Sequence, residues 1–141
     1  MSLLEICDSP PTSVPLDATA EQAIRAMLDH HVGAVAVVDE NQRVAGVFTE
    51  RDVLRRLALS GREPGRTPVR EIMTTSVEMA TLATTPGEAL ATMVERHYRH
   101  LPIVDENGRL LGMLSIRNVL QARIDALARQ LDEARATQES R

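Results

Sequence analysis

Two short stretches place a hydroxyl three residues before a polar side chain: Thr49-Glu50-Arg51-Asp52 and Ser115-Ile116-Arg117-Asn118. Each runs into an apolar stripe of helical period, so each pair belongs to the first turn of a helix. That spacing supports two kinds of chemistry. In a capping box the hydroxyl accepts the third residue's backbone N–H, and the third side chain accepts the N–H of the hydroxyl residue. In a binding site the same helix start offers free N–H groups and a positive dipole end to an anion. There the Thr49 hydroxyl can donate to a phosphate, and the Asp52 carboxylate can accept both hydroxyls of a ribose. Both readings stay open for Thr49 and Asp52. Asn118 is the weaker third member, because the box prefers Glu or Gln and an amide gives a hydroxyl no charge assistance. Arg51 and Arg117 point either at a phosphate or at solvent and a partner chain.

Little else reads as reaction chemistry. Cys7 is the only cysteine, which excludes an intrachain disulfide. With no base signalled beside it, it reads as a small buried apolar residue. His30, His31, His97 and His100 are scattered, and no converging metal-ligand set emerges from them. His31 and His97 fall at equivalent helix ends, where a cation suits the dipole. No P-loop, no G-x-G-x-x-G and no nucleophile–base signature occurs, so an enzyme is not expected.

Composition narrows the partners. The chain has 141 residues, a formal net charge of −4, and 16 cations that are all arginine. Phe48 and Tyr98 are its only aromatics, which disfavours base stacking on a nucleic acid. No apolar run approaches the roughly 20 residues needed to cross a bilayer. Met1 to Cys7 lacks the basic start of a signal peptide. A cytoplasmic location is therefore expected, with no membrane and no nucleic-acid partner.

The elements that position these residues occur twice, at an offset of 66. Val38-Asp39-Glu40-Asn41 recurs as Val104-Asp105-Glu106-Asn107, and Gly46 as Gly112. Thr19, Ala23, Met27 and His31 recur as Thr85, Ala89, Met93 and His97, and Glu5-Ile6 as Glu71-Ile72. In each copy Thr19 or Thr85 opens a capped helix, with Gln22 or Glu88 three residues on. An apolar strand follows (Val35–Val38 or Leu101–Val104), then a polar turn, a second strand (Val44–Phe48 or Leu110–Leu114) and a last helix. Asn107-Gly108 is a strong hairpin signal. Ser60 to Pro68 holds two glycines and two prolines and reads as a linker. After Ile124 the stripe continues through Leu127, Leu131 and Ala134, either extending a dimer contact or ending in solvent. A copy of about 60 residues makes a thin core, so the two are expected to pack their sheets together.

The order β-α-β-β-α, twice, resembles the cystathionine β-synthase (CBS) domain family. The segments that carry the likeness are Gly46-Val47-Phe48-Thr49-Glu50-Arg51-Asp52-Val53-Leu54 and Gly112-Met113-Leu114-Ser115-Ile116-Arg117-Asn118-Val119-Leu120, with His100 to Gly108 as the hairpin. The expected class is α+β (α/β): a tandem pair packed through its sheets as an intramolecular pseudo-dimer. The expected divisions are repeat 1 at residues 1–62, a linker at 63–68, repeat 2 at 69–124 and a C-terminal helical extension at 125–141.

The resemblance implies two clefts between the repeats that take AMP, ADP, ATP or S-adenosylmethionine. It also implies a disc-like homodimer and a regulatory role. With nothing attached, the chain resembles stand-alone members whose regulated partners are unknown. Carried over by position, Thr49 and Asp52 serve one cleft, and Ser115 and Asn118 the other. Arg99 and His100 stand where basic residues reach phosphates, here grouped with the second pair; Gly33 and Ala34 are their uncharged equivalents. Thr74 stands where a hydroxyl crosses to the other repeat's site, and its counterpart is Asp8, an acid that would repel phosphate. The two sites are thus expected to be unequal. The alternative is a ligand-free scaffold for dimerisation or partner binding.

Overall fold

The computed structural model describes residues 1–139; the last two positions of the expected C-terminal extension, 140–141, lie outside the described residues. The first repeat contains α1 (Leu3–Ile6), β1 (Ser13–Pro15), α2 (Ala20–His30), β2 (Ala34–Val38), β3 (Val44–Thr49) and α3 (Glu50–Asp52), which continues as a π-helical turn over Val53–Leu57. The second contains α4 (Pro86–Arg96), β4 (His100–Val104), β5 (Leu110–Ser115) and α5 (Ile116–Glu139). Among the described residues no helix is long and apolar enough to cross a membrane.

The helix starts follow from their caps. Thr19 Oγ1 accepts from Gln22 N at 3.2 Å and Gln22 Oε1 accepts from Thr19 N at 2.9 Å, a complete capping box. Thr85 and Glu88 repeat it at 3.1 and 3.2 Å, with Pro86 in the first turn. Both helices stop at a histidine in the left-handed region, His31 with φ 54° and His97 with φ 61°. β2 and β3 pair antiparallel, as do β4 and β5. In each turn an aspartate carboxylate gathers two backbone N–H groups, those of Asn41 and Arg43 on Asp39 and of Asn107 and Arg109 on Asp105.

The repeats differ at their first strand. β1 runs parallel to β2 over three residues, but its counterpart is a single bridge from Ala80 to Ile103. The cause lies in one residue. Ala36 N donates to Thr12 O at 3.1 Å, while the equivalent of Ala36 is Pro102, which has no N–H to give. Past the bridge the chain turns away from β4, with Thr81 N donating to Thr84 Oγ1 at 3.0 Å. The second sheet therefore has two strands where three were expected.

Each repeat is completed by the other's opening segment. Val69, Ile72 and Met73 are buried in the first repeat's core with Phe48, Val35 and Met27. Leu3 is buried in the second repeat's core with Leu101, Ile103 and Leu114, and Ile6 and Cys7 pack against it. The exchanged segments are held by equivalent bridges, Asp8 to Met113 and Thr74 to Val47. A third layer of Ala34, Ala36, Val38, Val47 and Met113 lies between the sheets. Burying each large apolar side chain stabilises by about 1.5–3 kcal/mol, and neither repeat can collect that burial without the other's chain.

Candidate functional site

β3 delivers Thr49 to the edge of the sheet, where the chain turns into α3. Thr49 Oγ1 accepts from Asp52 N at 3.2 Å, and Asp52 Oδ2 accepts from Thr49 N at 3.0 Å. The capping box is therefore fully formed, and it holds the Asp52 carboxylate beside the strand rather than in solvent. Asp52 is 5% exposed. Its Oδ2 takes a second bond from the Thr49 hydroxyl at 3.2 Å, and Oδ1 takes one from the Thr74 hydroxyl at 2.9 Å. Arg56 Nε stands 3.7 Å from Oδ1, and the same guanidinium donates to Met73 O at 2.6 Å.

These groups border a cleft of about 550 Å³. Of the residues expected at a site, Gly33, Thr49, Arg51, Asp52, Thr74, Arg99 and His100 all line it. Ala34 follows Gly33 but is buried in the layer between the sheets. Ser115, Arg117 and Asn118 are not among the lining residues; they lie where β5 meets α5. There Ser115 Oγ accepts from Asn118 N at 3.0 Å and Asn118 Oδ1 accepts from Ser115 N at 2.8 Å. The amide thus completes a reciprocal cap that the sequence preference had marked as weak.

The grouping of Arg99 and His100 with Ser115 and Asn118 is corrected. The Arg99 carbonyl does accept from Ile116 N at 2.8 Å, within its own repeat. Both residues nevertheless line the cleft of Thr49 and Asp52. The pseudo-symmetric packing sets the end of α4 against α3, and Arg51 Nη1 donates to His97 O at 3.2 Å across the repeats. The acidic carboxylate and the basic pair, expected to serve different clefts, face one space.

The cleft also holds residues that the sequence had not assigned to a site: Glu50, Arg55, Arg56, His97 and Tyr98 among them. Arg55 and Arg56 stand three and four residues after Asp52, which on a helix is the same face; that spacing was the available signal. Tyr98 is fixed by a hydrogen bond from its hydroxyl to Ser76 O at 3.1 Å. Burial pushes the His100 pKa below its ordinary 6.5; Glu50 and Asp8 pull it up, and Arg99 adds to the depression. His100 is therefore neutral at pH 7. A second concavity of about 500 Å³ beside β1 is lined by Asp17, Asp39 and Glu40 and has the opposite charge character.

The duplicated unit, the exchanged segments and the strand-to-helix pair at each copy define a tandem pair of small α/β repeats. Residues 4–59 and 69–125 each match the CBS domain; the chain belongs to that family. It is 38% identical over 109 residues to an uncharacterized 17.7 kDa protein of Acidianus ambivalens, covering 77% of this chain and 65% of that one. A crystallised CBS-domain containing protein from Agrobacterium tumefaciens superposes with a TM-score of 0.76 at 30% identity, covering 87% of this chain and 99% of that one. A CBS domain protein from Pyrobaculum aerophilum, crystallised complexed with AMP, superposes with a TM-score of 0.76 at 27% identity, covering 84% and 89%. The chain spans 53 to 65% of the length of three curated relatives it matches.

Proposed function

We propose that this CBS pair is a non-enzymatic sensor that binds an adenine nucleotide-type ligand (AMP, ADP, ATP or S-adenosylmethionine) in the cleft at Thr49 and Asp52. The observation that carries this reading is the convergence on one cleft of a carboxylate, two hydroxyls and four arginines from both repeats. Asp52 and the hydroxyls of Thr49 and Thr74 suit a ribose, and the arginines suit phosphates. The AMP complex of the Pyrobaculum relative supports the same ligand class. A ligand there touches both repeats, so it shifts whichever arrangement it binds more tightly. We further propose that two such pairs associate as a homodimer, and that the assembly acts on a protein partner.

One observation favours the alternative, a ligand-free scaffold. Both oxygens of Asp52 already accept hydrogen bonds from protein groups, so a ribose must displace hydroxyl donors to use it. A thermal-unfolding screen against AMP, ADP, ATP, S-adenosylmethionine and GTP separates the readings. Ligand at 100 times its Kd stabilises by about 2.7 kcal/mol, a readily measured shift. A shift with an adenine compound that is lost in Asp52→Ala supports the sensor. No shift with any of them leaves the scaffold.

A further inference from the structure

The last helix outruns the fold it closes. α5 packs on β5, α4 and α1 through its first turns, where Val119 is buried and Ala122 and Ala126 are half-buried. From Leu127 to Glu139 every residue is exposed, and this half lies past residue 125, where the second repeat ends. The duplication does not account for it. At the offset of 66, Ile124, Leu127 and Leu131 correspond to Ala58, Gly61 and Gly65, all past Leu57, where the first repeat's last helix stops. Leu120, Ile124, Leu127 and Leu131 nevertheless form one seam along α5, each between 47 and 59% exposed, and Ala134 continues it in the same heptad-like spacing. A helix standing clear of its fold is marginal in water, and a seam of this period is the kind of surface that a second helix covers.

The charges beside the seam define that second helix. At 3.6 residues per turn, Arg123 and Arg135 fall within about 65° of the seam's midline, one on each side. Asp125, Asp132, Glu133 and Glu139 fall about 95° or more away. Arg129 lies among these acids, four residues from both Asp125 and Glu133, so the outer face offsets its own charge. Neither the Arg123 nor the Arg135 guanidinium has a hydrogen-bond or ion-pair partner among the described residues. A second copy of α5 presents the same arginine-edged seam and brings no carboxylate to either arginine. A membrane surface is matched by a basic polar face, which the acids of the outer face oppose. A helix of another protein, apolar along one seam and acidic at the flanking positions, pairs with both arginines. We propose that the projecting half of α5 is the docking site for such an acid-flanked amphipathic helix on the regulated protein. The proposal rests on the protein partner in the reading above and on no ligand in the cleft.

The test uses the full chain without nucleotide and a synthetic helix of about three heptads, with leucine and isoleucine at the seam and glutamate at the flanking positions. A second peptide carries lysine at those positions. Fluorescence anisotropy of the labelled peptides should show the glutamate peptide binding about tenfold more tightly than the lysine peptide. Leu127→Gln/Leu131→Gln should abolish binding of both with an unchanged unfolding midpoint, since neither leucine belongs to a core. Arg123→Glu/Arg135→Glu should reverse the preference. Equal binding of the two peptides, or binding of neither, overturns the proposal. A drop in sedimenting mass on Leu127→Gln/Leu131→Gln assigns the seam to a second copy. Binding of the parent to phosphatidylserine vesicles that is lost in the same variant assigns it to a membrane. Either of these outcomes also overturns the acid-flanked partner. With no nucleotide present, none of these results bears on the cleft, and a thermal screen that shows no ligand leaves the docking site standing.

Discussion

The Thr74 hydroxyl donates to Asp52 Oδ1 at 2.9 Å, joining the opening segment of the second repeat to the helix that closes the first. Asp52 is almost wholly buried, so this bond to a charged acceptor is poorly replaced by water. Thr74→Val keeps the shape and removes the donor. The expected loss is about 1–2 kcal/mol, within the range for hydrogen bonds to charged groups and reduced because Arg56 stays nearby. Urea unfolding should show a lower midpoint with an unchanged slope, and Thr74→Ser should stay near the parent. A valine variant as stable as the parent removes this bond from the account of how the repeats are joined.

Gly46 and Gly112 occupy equivalent positions under the two exchanged segments, yet they should respond differently to the same change. A Cβ on Gly46 would stand 2.7 Å from the Thr74 carbonyl oxygen, which is held by Val47 N at 2.9 Å. A Cβ on Gly112 would stand 2.6 Å from Cys7 Sγ, the free end of a side chain. Gly46→Ala should therefore cost about 2–3 kcal/mol, at the upper end for overpacking, and Gly112→Ala less. Adding Cys7→Ala to Gly112→Ala should recover stability, a favourable coupling in a double-mutant cycle. Additive losses there would mean that Cys7 does not limit the space.

The repeat, its caps and its turns were legible because they rest on local chemistry. Thr19 with Gln22 and Thr85 with Glu88 form the boxes their spacing predicts. A fixed offset of 66, however, states which residues correspond, not which ones meet. Arg99 corresponds to Gly33, and both line the same cleft, because the pseudo-symmetric packing brings the start of β4 toward α3. The exchange of opening segments was likewise invisible: Leu3 and Val69 read as ordinary apolar residues, and only the packed chain shows each in the other repeat's core. The lost first strand of the second repeat could have been read from Pro102, whose missing N–H removes a ladder bond. Arg55 and Arg56 were readable too, by counting one helical turn from Asp52.

His100 links the cleft to pH. Its folded pKa lies below 6.5, chiefly through burial, with Arg99 acting in the same direction and Glu50 and Asp8 opposing. Around and below that value the folded chain binds fewer protons at this site than the unfolded chain, so stability rises with pH there. The contribution is present above about pH 6.5 and is lost as pH falls toward the folded pKa. Thermal midpoints from pH 8 to 5 should fall less steeply on the acid side for His100→Gln than for the parent. Parallel curves for the two proteins would assign the acid loss to other groups.

The proposed homodimer has a physical handle in Leu28 on α2 and Val94 on α4. They correspond at the offset of 66 and are 67% and 61% exposed, so the two repeats leave apolar side chains uncovered at matching places. Two-fold association is self-complementary, each chain presenting the same patch to the other, and a patch already duplicated inside one chain meets that requirement readily. Glutamate at both positions would place charge in such a contact without disturbing either core, since neither side chain is part of one. Sedimentation should show the parent at twice the chain mass and the Leu28→Glu/Val94→Glu variant at one, with similar unfolding midpoints at low concentration. A parent that sediments as a single chain overturns the homodimer. A variant that remains paired moves the contact to another face, with the exposed stripe of Leu120, Ile124, Leu127 and Leu131 on α5 as the next surface to charge.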